Sequence, residues 1–505
     1  MTNVVHKPHL HDSGPLHATG TAPYVAALHT PANALHACFG LSPVGHAAIE
    51  ALDLSAVWAA PGVVDVVTAA DIPGENNAGP VVHDEPLLAD GTILFPGQAL
   101  FCVFAETRVQ ARKAARLFEL KSTDLPAIAT VDDAVEANSF LHDPLVFKRG
   151  DVTQAIEAAD HSSTSRLYIG GQEHFYLEGQ GSLALPSADG LHIISSTQHP
   201  SEIQDLTAEA LGISAAEVTV EVRRMGGAFG GKETQAAPLS IIAALGARRT
   251  GRAVRFRLDR DDDFILTGKR HDFRADIRVG FDQTGLIKGV DGILASRCGY
   301  GHDLSRAIND RAMFHADNAY FYPSLELTSL RAKTHTVSNT AFRGFGGPQG
   351  MMLAERLVDK VAAAVHRDPL DVRLANLYDE ADRAITPYGM TIEDNVLPQL
   401  MPQLAESSEY RARRAAIIEA NASAGRSPVR RGIALTPVRF GISFTTSFLN
   451  QAGALINIYK DGSILLNHGG TEMGQGLFVK VAQVAAEVLG VRLEDVKISA
   501  TRTDK

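Results

Sequence analysis

A chain of 505 residues, 45% hydrophobic and 21% charged, has the balance of an ordinary globular protein of roughly two to four domains. Its net charge of −11 argues against a general nucleic-acid role, which needs a basic face. No run approaches about 18 apolar residues, and residues 1–10 lack a signal-like apolar stretch, so no membrane partner and a cytoplasmic location are expected.

In chain order, residues 1–16 are polar and His-rich. His9 and His11 could hold a metal, but a loose terminal tail is the simpler reading. Residues 17–125 read as an α/β unit with strands at 36–42, 62–68 and 99–105 and an amphipathic helix at 107–118, N-capped by Thr107. Residues 126–144 read as a linker, and the stretch 121–139 carries a short helix. A second unit, 145–390, alternates strands and helices between long Gly-rich loops. Within it, Asp259, Asp261, Asp262 and Asp263 could bind a hard cation, although a solvated turn or cap is the usual use of such a run. Residues 391–431 read as a linker region, with a basic helix and loop at 409–428. A third unit starts at 432, and strand patterning continues to the last residues. The three cysteines are far apart in sequence, whereas an iron–sulfur cluster needs about four clustered thiolates, so this chain builds none alone.

Four loops share one local grammar. GGAFGGKE (226–233) follows the alternating run VTVEV (218–222) and precedes a helix-spaced run at 234–249. The stretches 195–212, 339–361 and 467–490 also lead from a strand end or Gly-rich loop into a helix. Helix N-termini present unpaired N–H donors and partial positive charge, so the four together suggest a large anionic ligand. Gln198, Gln349 and Gln475 lie in three of these loops, and their amides suit the edge of a flat heterocycle. The first loop departs from a nucleotide-binding P-loop at one position: Glu233 stands where a Ser or Thr hydroxyl would bind magnesium. A carboxylate beside phosphates would repel them, so Glu233 faces a heterocyclic substrate or simply complements a helix dipole.

Six motifs then occur in order: GQEHFYLEGQGSLALP (171–186), RRMGGAFGGKE (223–233), DRAMFHADNAYF (310–321), SNTAFRGFGGPQG (338–350), FGISFTTSFLNQAGAL (440–455) and NHGGTEMGQG (467–476). Together they resemble the molybdenum-binding subunit of the xanthine dehydrogenase family, in the bacterial form where this subunit is a separate chain. The resemblance implies an α+β fold: an N-terminal α/β hammerhead-like domain followed by molybdopterin-binding α+β domains, the last of them incomplete. It implies a molybdopterin cofactor, hydroxylation of hypoxanthine and xanthine with oxygen from water, and electrons leaving through iron–sulfur clusters and FAD on a partner chain. A heteromer with two of each chain follows from the same resemblance.

By motif position, the resemblance places Gln198 near the molybdenum oxo group and the backbones of Phe229 and Arg343 along the metal, as neighbours and not as direct ligands. Gly230 allows close approach, and Gln475 contacts the pterin. Glu233 and Arg311 grip the purine as substrate-binding and catalytic residues. Phe345 and Phe444 sandwich its ring, with Thr445 beside it. Ala228 stands where the family has Gly as often as Ala. The family's general-base Glu maps beyond Lys505, so residues 1–505 alone are expected to be inactive. An aldehyde or other N-heterocycle hydroxylase of the same superfamily, and a cofactor-binding fragment without turnover, stay open as alternatives.

Overall fold

The computed structural model describes residues 4–379 and 381–505. Its centre is an eight-stranded mixed sheet in the order Thr501–Arg502, Val218–Val222, Gly190–Ser195, Gly181–Ser187, Val254–Arg257, Leu35–Leu41, Ala99–Ala105, Val63–Val67. The strand Ala99–Ala105 is apolar at every position and buried at every position, as a strand covered on both faces must be. Val218–Val222 alternates buried and half-buried residues. The helix Ala237–Thr250 packs on this sheet through an almost unbroken buried run. Gly246 makes the close approach possible, since a Cβ there would lie 2.2 Å from the Phe104 ring.

The sheet draws strands from both sides of the 126–144 segment. Leu35–Leu41 pairs in parallel with Val254–Arg257 and antiparallel with Ala99–Ala105. A small sheet of Thr92–Ile93, Ala47–Asp53 and Glu119–Asp124 stands beside it. Residues 121–124 close the first unit as part of an edge strand, and the helix expected over 107–118 closes earlier, at Arg108–Ala114. Thr107 caps that helix, accepting the Gln110 N–H at 3.3 Å. A second, five-stranded sheet runs Leu145–Arg149, Ser324–Lys333, Ile287–Gly299, Phe273–Phe281, His161–Ile169, with helices Ser305–Phe314 and Gly347–Ala364 against it. The segment 391–431 carries two helices, Leu397–Ser407 and Tyr410–Ser423. A third sheet joins Ala454–Ile458, Ile464–His468 and Val496–Ile498 beside helix Leu477–Leu489.

Two stretches depart from the simpler sequence reading. The described part of the N-terminal segment is docked: Val4 is buried among Ile464, Leu466, Ala482 and Ala486, and Gln483 donates to the Val4 and Lys7 carbonyls at 3.2 and 3.1 Å. Burial of Val4 in the last unit, these hydrogen bonds and the Arg223–Asp12 ion pair hold it in place. The aspartate run sits at a helix N-terminus, as the cap reading has it, with Asp259 at the N-cap position and Asp261 exposed, but one member is not solvated. The helix is Arg260–Leu266, and its Asp263 is buried and accepts the Tyr176 hydroxyl at 2.7 Å. Among the described residues, no helix is long and apolar enough to cross a membrane.

Candidate active site

The loop 226–233 turns through left-handed backbone at Gly227 (φ 90°), Phe229 (φ 57°) and Gly230 (φ 102°). Four separate segments hold it in that shape. Glu178 accepts the Gly226 N–H at 2.8 Å. The Gln198 Oε1 accepts the Gly230 N–H at 2.8 Å, which leaves the Gln198 amide nitrogen with no hydrogen-bond acceptor among the described residues. The Phe229 carbonyl accepts the Arg343 N–H at 2.8 Å. The Glu472 carbonyl accepts the Met225 N–H at 2.8 Å, just before the loop. Gly230 is needed here, because a Cβ would sit 2.7 Å from the Ala341 carbonyl oxygen.

Lys232 is the buried anchor of this loop, and the sequence reading gave it no role. Its side chain is wholly buried, donates to the Glu178 carbonyl and the Ser196 hydroxyl at 2.7 Å each, and lies 4.6 Å from the Tyr176 ring centroid. Burial pulls its pKa down to about 8, against the nearby Glu178 charge.

Beside it, the Glu233 carboxyl has no hydrogen-bond partner among the described residues. Burial, then the charges of Glu202 and Asp303, push its pKa up to about 7. Asp303 is raised to about 6 by burial, although Thr234 and Thr340 donate to it at 2.6 and 2.8 Å. Burial also raises Glu202. Glu233, itself half-buried, thus stands in a group of carboxyls that resist ionising together, a grouping from distant sequence positions that no motif announces.

The loop before helix Gly347–Ala364 is left-handed at Gly344, Phe345 and Gly346. Gly346 lies directly on helix Ser305–Phe314: a Cβ would come within 2.0 Å of the Ile308 carbonyl oxygen. That helix carries Arg311, which is buried and donates through its two terminal nitrogens to the carbonyls of Gly441 and Ser443, while its Nε–H is buried without a partner. Burial lowers its pKa. The Phe345 and Phe444 rings touch each other, with centroids 4.9 Å apart and planes at 49°. The expected sandwich is therefore closed on itself, with no room for a ring between them. Thr445 donates to the Ala307 carbonyl at 2.9 Å.

Two expected contributors are spent locally. Gln475 accepts the Met473 N–H at 2.8 Å and donates to the Thr471 carbonyl at 2.9 Å. The start of helix Leu477–Leu489 was read as an open anion cradle, but Glu472 occupies it. Burial works against the charge of Glu472, yet its carboxylate accepts the N–H groups of Gly474 (2.8 Å), Gly476 (3.1 Å) and Phe478 (3.4 Å), which hold its pKa down. His11 reaches the same carboxylate at 3.3 Å, so His11, Asp12 and Glu472 stand close enough to share a cation; His9 instead contacts the Val4 carbonyl.

Glycine-rich loops braced at one buried site, beneath a mixed sheet with a small hammerhead unit, match known proteins in the same order. Residues 19–126 match the a/b hammerhead domain of aldehyde oxidase and xanthine dehydrogenase, and residues 133–377 and 403–505 match molybdopterin cofactor-binding domains. These three domains place the chain in the class of molybdopterin cofactor-binding chains. The xanthine dehydrogenase of Dictyostelium discoideum is 41% identical over 500 residues, 99% of this chain and 36% of the relative. The xanthine dehydrogenase/oxidase of Gallus gallus is 41% identical over 506 residues, 100% of this chain and 37% of the relative. The chain belongs to the xanthine dehydrogenase/oxidase family, and it spans little more than a third of the length of these curated relatives. Among solved structures, quinoline 2-oxidoreductase from Pseudomonas putida 86 superposes with a TM-score of 0.87 at 23% identity, covering 100% of this chain and 67% of that one. The aldehyde oxidoreductase of Desulfovibrio gigas gives 0.83 at 24% identity, covering 98% and 56%. At these identities the structures speak for the fold.

Proposed function

We propose that this chain forms the molybdenum-cofactor side of a purine hydroxylase of the xanthine dehydrogenase type, acting on hypoxanthine and xanthine. The observation that carries the reading is the pair of groups with unspent hydrogen bonds, the half-buried Glu233 carboxyl and the buried Arg311 Nε–H. A buried polar group without a partner costs stability, and a site that awaits a polar ligand accounts for it. The donor set also fits the cofactor. Gln198 holds Gly230 with its oxygen and keeps its amide nitrogen free, and the Phe229 and Arg343 backbones run side by side. The bound molybdopterin would supply the redox centre and the oxygen transfer.

The chain's own residues bind and orient the purine. Glu233, largely protonated below about pH 7, donates to or accepts from a ring nitrogen or carbonyl. Arg311 stabilises negative charge that develops on a purine oxygen. Phe345 and Phe444 must part to admit a flat ring, after which they fix its plane. Their opening requires the 440–453 segment to shift, because Arg311 now holds that segment by its carbonyls. Electrons would leave to iron–sulfur and FAD centres on a partner chain in a cytoplasmic heteromer with two of each chain.

The test uses the native protein purified with its cofactor and copurifying chains. Glu233→Ala and Arg311→Met are expected to keep molybdenum and pterin content while xanthine turnover falls at least about a hundred-fold, the scale of losing a transition-state hydrogen bond. Full xanthine activity in either variant ends that residue's assigned role. Turnover of aromatic aldehydes in place of xanthine by the unaltered protein would move the reading to an aldehyde hydroxylase.

A further inference from the structure

A second site lies away from these loops, at the seam where strand Leu35–Leu41 joins strand Val254–Arg257. A cavity of about 110 Å³ opens there, lined by Ala26, His36, Ala37, Arg108, Arg255 and Arg257. No carboxylate lines it. In a chain of net charge −11, three arginines and a histidine gathered around one cavity run against the overall balance. The parallel register sets His36 beside Arg255, and the two-residue period of a strand puts Arg255 and Arg257 on one face.

The charges of Arg255 and Arg257 are not compensated by a carboxylate among the described residues. Arg108 is paired with Asp259. Arg255 donates its terminal nitrogens to the Ala26 and Leu28 carbonyls, and its Nε–H is buried without a partner. Arg257 makes no side-chain hydrogen bond or ion pair among the described residues. Burial, then the charge of Arg257, lowers the Arg255 pKa, and burial followed by Arg255 and Arg108 does the same to His36. Two adjacent guanidiniums with no anion between them repel each other, and an oxyanion placed there would reverse the sign of that term.

We propose that this cavity binds a small tetrahedral oxyanion of the phosphate class, gripped by Arg255 and Arg257. A cavity of this size, open to solvent, has room for a phosphate group. Guanidinium forks suit such an anion because they give charge-assisted, paired hydrogen bonds. Phosphate could arrive free or as the head of a monoester whose remainder stays outside. Binding would rivet the N-terminal strand to the central sheet, so the readout is stability, independent of any activity.

The experiment uses the cofactor-loaded native protein, so that the cofactor's own phosphate site is filled. Thermal unfolding and titration calorimetry are run with inorganic phosphate, and separately with glycerol phosphate, against potassium chloride at equal ionic strength. Phosphate is expected to raise Tm saturably. Arg257→Met, an exposed side chain whose loss leaves the fold intact, should weaken binding about ten-fold, as expected for one charge-assisted hydrogen bond. Glycerol phosphate binding as tightly as phosphate assigns a monoester head, and binding of phosphate alone assigns the free ion. Equal effects of phosphate and chloride, or an unchanged affinity in Arg257→Met, would overturn the site and leave an adventitious ion only.

Discussion

On the proposed function the loop 226–233 and the segment 440–453 serve the same site, and the two are held in opposite ways. The first is braced from four directions, by residues 178, 196–198, 343 and 472, and by the wholly buried Lys232. The second hangs mainly from one helix, with one further tie where the Gly453 carbonyl accepts the Gly469 N–H at 3.1 Å. Arg311 holds the Gly441 and Ser443 carbonyls, His315 accepts the Gly441 N–H at 3.0 Å, and Thr445 reaches the Ala307 carbonyl. Residues 447–458 are exposed throughout. One region is a loop fixed from several sides, and on the proposed function it is the cofactor's cradle while the loosely held second is the substrate's gate. A site that must hold a cofactor permanently and admit a substrate repeatedly needs both kinds of fastening.

The sharpest way to break this comparison is to release the braced loop. Lys232→Met removes the ammonium and strands its acceptors, the Glu178 carbonyl, the Ser196 hydroxyl and the Glu178 carboxylate 3.7 Å away. Relief from burying a charge offsets part of the loss, but orphaned buried acceptors win when only one partner is removed. The expected loss is about 3 kcal/mol of unfolding free energy, with cofactor content falling alongside. Thermal unfolding and metal analysis check it. A variant as stable and as well loaded as the parent would show that the lysine is not the anchor.

The same contrast explains what the sequence could disclose. Ala99–Ala105, Val218–Val222 and the helix Ala237–Thr250 are legible because period and apolar content are local properties. The six motifs point to the family, and the matches bear that out. Pairings across more than 200 residues are not local: nothing near His36 announces Arg255. Lys232 has no role legible from its residue type, and only its burial shows it as the anchor of the loop. The Glu472 carboxylate, inside a loop read as an anion cradle, is itself the anion there. Side chains that answer their own backbone, as Glu472 and Gln475 do, are hidden from any reading of residue types alone.

A smaller effect tests the carboxyl group beside the cradle through pH. The folded pKa of Glu233 is about 7, above its ordinary 4.5, so the folded state binds the extra proton. Its contribution is fully present below about pH 4.5 and is lost as pH rises through 7. Stability should therefore decline across this window, by at most about 1.4 kcal/mol per pH unit from this one group. Glu233→Gln keeps the shape without the titration, and its stability curve should be flatter between pH 4.5 and 7. Asp303, raised to about 6, leaves a residual slope. Denaturant unfolding at several pH values measures this, and superimposable curves would remove Glu233 from the set of buried proton holders.

The smallest effect belongs to the gate. Thr445→Val keeps the side-chain volume and deletes one hydrogen bond, to the Ala307 carbonyl. The cost is about 1 kcal/mol or less, because a single neutral hydrogen bond is nearly matched by water in the unfolded chain. If 440–453 opens independently of the core, that cost falls on the opening equilibrium and not on global unfolding. Amide exchange in the segment should then quicken several-fold while Tm stays where it was, and the Arg311 and His315 contacts should still reclose it. A drop in Tm with no local change in exchange would mean that the segment unfolds only with the whole protein. The two regions would then differ in exposure alone, and not in freedom to move.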